Sequence, residues 1–451
     1  MDAWINTLPW PEWALLSLLL LAYFFAVLYS WRFGLYCVAV LLPFQGLLGT
    51  GGLLSAVKIA IVMTLISVVP RVSASGAMSR RFIAVLRVDL VMLVFGLVIW
   101  SFLSILWAQY PHAAFVKSST YLGDLVLLIL IAMLDQSTLK RFFWVLLGAW
   151  TVVVPTGLLV VTFNSYALHR FTTAGLYTAG GYNPDDFGTL LAVFGLLLFF
   201  GFGLREKRAL KIAILGIFAI GLFFSKTLTA VVVLACTPLL VILSEHRGDK
   251  FAATMKAIVS YLVVGMALTV VLAYTPTGQY LAQTKYSRLA ALSADSAWDG
   301  RLNIWQGGLE MFREHPLIGT GSGNFPYLSP EYSAFAAHVQ RDTQAFTDKF
   351  STGSPAHNMY LSISAELGIV GLILFLSVLV LAFSRSAHLF EKRELSAGMH
   401  AALCALLIGG CALNWEYSKF LFLVIGAIVA DSINRRVLTA IQANRQAIPD
   451  T

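Results

Sequence analysis

His357 stands in the run GSPAHNMYLSISAELGIVGLILFL, where Pro355 breaks what precedes and an apolar stretch after Asn358 is long enough to cross a bilayer. The spacing predicts an imidazole at or near a helix N-terminus. The partial positive charge there disfavours the imidazolium, so the ring stays neutral and able to take a proton, while free backbone N–H groups face any nearby anion. A base beside an anion site is a catalytic arrangement; without the anion site, such a histidine is an ordinary polar belt residue. Cations supply that site. Arg301, in WDGRLNIW, falls in the first turn of an expected helix, where the dipole disfavours a cation, so it is either paired with Asp299 or Asp295 or wanted for a ligand. Lys226, in GLFFSKTLTAVVV, occupies a tight turn between apolar runs, where it either snorkels to headgroups or holds an anionic group such as a pyrophosphate. Arg170, in YALHRFTTAGLYTAGGYNPDDFG, together with Lys285 and Arg288, completes a set suited to a lipid-linked phosphate without a divalent metal.

Other motifs have plainer readings. Asn183, Pro184, Asp185 and Asp186 read as a helix start: cap, first helical position and acids in the first turn. GTGSGNF, residues 319 to 325, reads as a tight loop for close packing, since no strand-turn-helix context makes it a phosphate cradle. His315 and His338 are too scattered for a metal site, and no H-E-x-x-H or Asp-x-Asp pattern occurs. Cys37, Cys236, Cys404 and Cys411 read as small buried hydrophobes. Asp124, Lys58 and Glu366 lie inside apolar stretches, where an ionised group costs at least about 2.5 to 3.5 kcal/mol at mid-bilayer, so each should face the interior of a bundle. Glu366 is half a turn out of phase with His357 and about 13 Å deeper on the same helix, which leaves it to inter-helix hydrogen bonding, with Ser362 one turn earlier as partner.

The elements that position these residues follow from composition. Of the 451 residues, 58% are hydrophobic and 12% charged, a balance that excludes a water-soluble domain and fits an all-α, polytopic transmembrane helical bundle. Apolar windows predict 12 or 13 spans, among them 54 to 69, 88 to 108, 119 to 134, 142 to 163, 186 to 204, 210 to 224, 257 to 274, 358 to 384 and 420 to 433. Basic residues gather at alternate connections, for example Arg71, Arg80, Arg81 and Arg87, then Arg205, Lys207, Arg208 and Lys211, and those connections are assigned to the cytoplasm. The opposite short connections hold Lys117, Arg170, Lys226 and Lys419. The net charge of +8 is spread thinly between apolar runs rather than forming a stripe, which argues against nucleic acid as a partner. The chain divides into N-terminal spans, 1 to 274; one large outward loop, 275 to 357; and C-terminal spans with a cytoplasmic tail, 358 to 451. Within the loop a helix is expected from about 300 to 314, its Leu302, Trp305, Leu309 and Phe312 packing on the membrane domain.

Taken together, GRLNIWQGGLEMFREHPLIGTGSGNF, AHNMYLSISAELGIVG opening a span, and the upstream SKT turn resemble, in that order, the O-antigen ligase and polymerase superfamily of bacterial envelope glycosyltransferases. The resemblance covers residues 215 to 384; further upstream only hydropathy matches. It implies a GT-C-like, cofactor-free and metal-independent enzyme of the bacterial inner membrane with its site facing the periplasm. The donor would be a glycan on undecaprenyl pyrophosphate, and the acceptor a hydroxyl of lipid A-core or of a growing glycan, within surrounding membrane lipids. Carried over, Arg301 and the basic residue of the SKT turn hold the pyrophosphate, His357 activates the acceptor hydroxyl, and Arg170 assists the donor. Family ligases commonly have arginine in that turn; Lys226 instead binds as a point charge, a departure compatible with an exopolysaccharide polymerase. Ligase is the leading expectation, with polymerase and transfer to protein Ser/Thr as alternatives. A solute transporter running through Asp124, Lys58 and Glu366 is the rival from another class, although no inverted repeat supports it.

Overall fold

The computed structural model describes residues 21–45, 55–163, 179, 182–202, 207–243, 297–346, 353–390 and 394–446. Arg170, Lys285, Arg288 and the expected span 257 to 274 lie outside the described residues. The helices, numbered in order, are α1 (Trp31–Leu41), α2 (Ala56–Ala74), α3 (Gly76–Leu86), α4 (Asp89–Leu103), α5 (Pro111–Ala132), α6 (Gln136–Phe163), α7 (Pro184–Gly201), α8 (Arg208–Ser225) and α9 (Leu228–Leu243). They continue with α10 (Ala297–Glu314), α11 (Phe325–Tyr332), α12 (Ala334–Phe346), α13 (Met359–Phe390), α14 (Glu394–Gly409) and α15 (Lys419–Gln446). Among the described residues 7 helices are long and apolar enough to cross a membrane, within α2, α4, α5, α6, α7, α8 and α13, and shorter apolar helices lie at α1, α9 and α14. The protein is a polytopic helical membrane protein.

The bundle is organised around α7, α14 and the first half of α15. Residues Phe420 to Ala430 of α15 are buried almost without interruption, the pattern of a helix wrapped on all sides by others. Backbones approach closely where glycine removes a side chain. A Cβ on Gly398 of α14 would meet the Gly201 Cα of α7 at 2.4 Å, and one on Gly426 of α15 would meet the Leu128 carbonyl of α5 at 2.6 Å. Small residues at such crossings are the usual device of membrane helix packing.

The glycine-rich stretch after α10 packs into a break in α13. Gly368 has φ 65°, so the helix is interrupted there, and a Cβ would run into the Leu317 carbonyl at 2.4 Å. The backbone groups released by the break are met by the crossing segment: Thr320 and Gly321 N–H donate to the Ala365 and Glu366 carbonyls at 3.0 and 2.8 Å, and Ile369 N–H donates to Pro316 at 2.8 Å. Trp100 Nε1–H donates to the Leu367 carbonyl at 3.0 Å. Non-helical backbone survives at membrane depth only when protein satisfies it in this way. The tight-loop expectation for GTGSGNF therefore holds, and its partner is the broken helix.

Two readings need correction. The buried face of α10 carries Ile304, Gly307, Gly308 and Met311, while Leu302 and Leu309, expected to pack inward, are exposed. The glycine pair explains the rotation: a Cβ on Gly307 would strike the Tyr332 carbonyl at 2.8 Å and one on Gly308 the Leu361 side chain at 2.9 Å, so this face alone lies flush on α11 and α13. Cys404 is buried, but Cys236 and Cys411 are exposed.

Candidate functional site

The site gathers at the end of the bundle where α7, α13 and α15 begin. The start of α7 is capped as its sequence implies: Asn183 Oδ1 accepts from the Asp186 N–H at 2.7 Å, with Pro184 at the first helical position. Capping leaves the two acids with different tasks. Asp186 turns inward and accepts from Trp415 Nε1–H at 2.9 Å, whereas Asp185 projects toward α10 and pairs with Arg301 at 3.3 Å. Arg301 is thus met by a carboxylate whose sequence reading is helix capping, while the expected partner Asp295 and the side chain of Asp299 lie outside the described residues.

His357 is fixed from both sides. Trp305 Nε1–H of α10 donates to the Ala356 carbonyl at 3.0 Å, and Asn358 caps α13 by accepting from the Tyr360 and Leu361 N–H groups at 3.0 and 3.1 Å. Between these anchors His357 takes φ 49°, in the left-handed region that a non-glycine residue adopts at a cost on the order of 1 kcal/mol or more. Burial, and then the positive charge of Arg301, push its imidazole below the ordinary histidine range, with Asp185 pulling the other way. The ring is therefore neutral at pH 7, with a guanidinium and a carboxylate in electrostatic reach.

Lys226 is the residue that ends α8, also at a left-handed φ of 53°. Its turn sits on the same helix start, since Thr227 Oγ1–H donates to the Pro184 carbonyl at 2.7 Å, one residue before Asp185. Gly188 makes room: a Cβ there would meet the Ser225 hydroxyl at 2.4 Å. The α7 N-terminus thus links the SKT turn on one side to Arg301 on the other.

Beside His357 opens a cavity of about 480 Å³, lined by Lys58, Lys419, Tyr182, Asn414, Trp415 and Tyr417 among others. Behind it lies an ion cluster that sequence reasoning missed. Lys117 Nζ lies 2.7 Å from Glu366 and 2.9 Å from Glu416, and Ser362 donates to Glu416 at 2.7 Å. Glu366 also accepts from the Gly323 and Phe325 N–H groups at 2.7 and 3.3 Å, tying the glycine loop to α13. Ser362 consequently serves Glu416 and not Glu366, a correction to the expected pairing. The cluster was hidden because the apolar window places the span start at 119, leaving Lys117 in a connection, whereas α5 begins at Pro111 and carries Lys117 into the bundle. Asp124 and Glu366 do face the interior, both 1% exposed.

Residues 212–376 match the family model described as O-antigen ligase, a stretch that contains Lys226, Arg301 and His357. A curated relative, the exopolysaccharide production protein ExoQ of Rhizobium meliloti (strain 1021), is 33% identical over 99 residues. That alignment spans 21% of this chain and 20% of the relative. The superfamily resemblance read from the motifs is thereby matched over most of the residues that carry those motifs.

Proposed function

We propose that this protein transfers a glycan from a polyprenyl diphosphate, of the undecaprenyl type, to a sugar hydroxyl at the outer face of the bacterial inner membrane. The observation that carries this reading is His357 on the wall of the cavity, held between Trp305 and Asn358, with burial and the nearby Arg301 pushing its imidazole toward the neutral form. In the transfer, the acceptor oxygen bonds to the anomeric carbon as the bond from that carbon to the phosphate oxygen breaks. The acceptor proton passes to the imidazole, and the electron pair leaves on the diphosphate. Cations preorganised where that charge develops stabilise the transition state more than the ground state, and this is the role assigned to Arg301 and Lys226, with Arg170 assisting the donor. A base with a lowered pKa is unprotonated at neutral pH and needs only to remove one hydroxyl proton.

The match to a model described as O-antigen ligase favours the ligase reading, for which the motif resemblance implies lipid A-core as acceptor. A second reading has its own support: the relative is an exopolysaccharide production protein, and Lys226 replaces the turn arginine common in ligases, so a polymerase that adds the glycan to another repeat unit fits as well. A transporter is less well supported, since Glu366 of its ion path is engaged by Lys117 and two backbone N–H groups.

The test is complementation of a deletion strain with His357→Ala or Arg301→Ala, followed by analysis of surface glycan and of lipid-linked intermediates. Loss of transfer at normal protein level is expected for both, and wild-type transfer by either variant overturns the assignment. In the deletion strain, long polymer left on the lipid carrier identifies a ligase, and single repeats left there identify a polymerase.

A further inference from the structure

Two adjoining spans fix where the hydrocarbon of the bilayer ends. At one end of the pair, Arg385 of α13 meets Asp89 of α4 at 3.2 Å; at the other, Trp100 of α4 reaches the Leu367 carbonyl beside the break in α13. Between Asp89 and Leu106, and between Gly368 and Arg385, no residue is ionisable. At about 1.5 Å per residue the first stretch rises about 27 Å and the second about 25 Å, close to the roughly 30 Å of bilayer hydrocarbon. Met92, Phe95 and Ile99 on α4, and Ile373, Leu376 and Val380 on α13, are exposed along it, as a lipid-facing surface requires. Gly368 therefore marks the hydrocarbon edge on the side of the membrane where His357 lies. Trp100 and Trp107, with ring centroids 5.4 Å apart, stand near that level, as tryptophans do at a membrane interface.

α13 doubles back at this edge. The rings of Tyr360 and Phe375 are 6.4 Å apart, although a straight helix would separate the two residues by about 22 Å. His357 thus stays near the height of the break, and Glu366 is not about 13 Å deeper, as an unbroken helix would place it. α10 follows the turned half: Trp305 meets the Ala356 carbonyl, Gly308 lies against Leu361, and the Pro316 carbonyl accepts from the Ile369 N–H. It therefore runs along the membrane surface and not through it. At its end Arg313 and Glu314 are exposed, and then Leu317 and Ile318, 67% and 40% exposed among the described residues, arrive beside Gly368. Exposed charges followed at once by exposed aliphatic side chains suit a segment that lies among headgroups with its tip in acyl chains.

We propose that Leu317 and Ile318 are a membrane anchor: their side chains enter the outermost hydrocarbon of the leaflet on the His357 side, and α10 lies in the headgroup layer of that leaflet. The partner is the lipid surface itself, because the two residues continue the lipid-facing surface of α4 and α13. The anchor does not depend on the glycosyl-transfer reading; under that reading, it keeps Arg301 of α10 at the height of a diphosphate on a lipid carrier. The test uses the full chain with its 4 cysteines replaced by alanine, in phosphatidylcholine–phosphatidylglycerol vesicles. Single cysteines are introduced by Leu317→Cys, Ile318→Cys, Ile373→Cys as the lipid reference and Arg341→Cys as the water reference. With a nitrobenzoxadiazole label, lipid carrying a nitroxide at carbon 5 should quench positions 317 and 318 about as strongly as 373, while aqueous iodide quenches chiefly 341. Iodide quenching at 317 and 318 equal to that at 341 overturns the proposal, and so does protection from both agents, which would mean that protein covers the pair. Labelling of the bare thiols by a charged maleimide guards against a probe that inserts by itself. The rate at Leu317→Cys should be about tenfold below that at Arg341→Cys or lower, because a thiol among acyl chains does not ionise, and equal rates overturn the anchor. Neither readout involves turnover, so the anchor and the catalytic assignment of His357 and Arg301 stand or fall separately.

Discussion

Glu366 and Glu416 meet Lys117 with carboxylate side chains 1% exposed, whereas Arg301 and Asp185 meet at 31% and 43% exposure. Both clusters cross between helices at the same end of the bundle. In the first, Glu366 takes two backbone N–H groups besides the ammonium, and Ser362 and Lys117 both serve Glu416. In the second, a contact of 3.3 Å joins two partly exposed side chains that both lie in electrostatic reach of the strained His357. A buried ion cluster is costly to disturb and fixes where its helices lie; a half-exposed pair contributes little to stability and can exchange its partner for a ligand. The difference teaches which charges hold the scaffold and which are available to substrate.

The comparison breaks most visibly at Lys117. Lys117→Met leaves two buried carboxylates without a cation, and the expected loss is about 3–5 kcal/mol, read as a fall in thermal unfolding temperature in detergent. Glu416→Gln should cost less, because one cation then serves one carboxylate. If Lys117→Met unfolds at the wild-type temperature, the cluster is not structural. Arg301→Ala tests the other side, with transfer expected to fall about 10²-fold or more, as for removal of one preorganised charge stabiliser, at an unfolding temperature close to wild type. A large stability loss in Arg301→Ala would erase the distinction between the clusters.

The glycine loop sharpens the comparison at an intermediate size. Gly319 has φ 71°, and a Cβ on it would lie 2.3 Å from the Glu366 carbonyl group, so Gly319→Ala must push the loop off α13. A loss of at least about 1 kcal/mol is expected, measured by unfolding. Because the same loop presents its Gly323 N–H to Glu366, combining Gly319→Ala with Glu366→Gln should cost less than the sum of the two.

Much of this was legible in the chain. The helix expected from about 300 to 314 is α10, Ala297–Glu314, because Pro316 follows its end and Asp299 stands near its start. The capped start at Asn183 is found as read, since capping is local chemistry. What the sequence did not expose were pairings between distant segments. Asp185 reads fully as a dipole acid until α10 is laid beside it, and Glu416, in the short connection NWEYSK, carries no signal that Lys117 will reach it. Hydrophobicity is a poor guide to the buried face of α10, because Gly307 and Gly308 set its rotation through close approach. Lys58 has the sequence signature of a buried ion alone, and its place on the cavity wall depends on how distant helices pack.

The smallest effect concerns pH and the reach of Asp185. Burial and Arg301 lower the His357 pKa while Asp185 raises it, so the neutral imidazole persists below the ordinary value of about 6.5 and activity should begin to fall only at more acid pH. Asp185→Asn removes the raising charge, and the acid limb of the transfer rate should move to still lower pH. Arg301→Ala removes a lowering charge, and the limb of its residual activity should move up. The accompanying stability change for Asp185→Asn should stay within about 0.5 kcal/mol, since the pair is half-exposed. Profiles of initial rate against pH for the three proteins decide the matter: opposite displacements by the two variants require both charges to act on one imidazole, and a limb that neither variant moves would assign the titration to a different group.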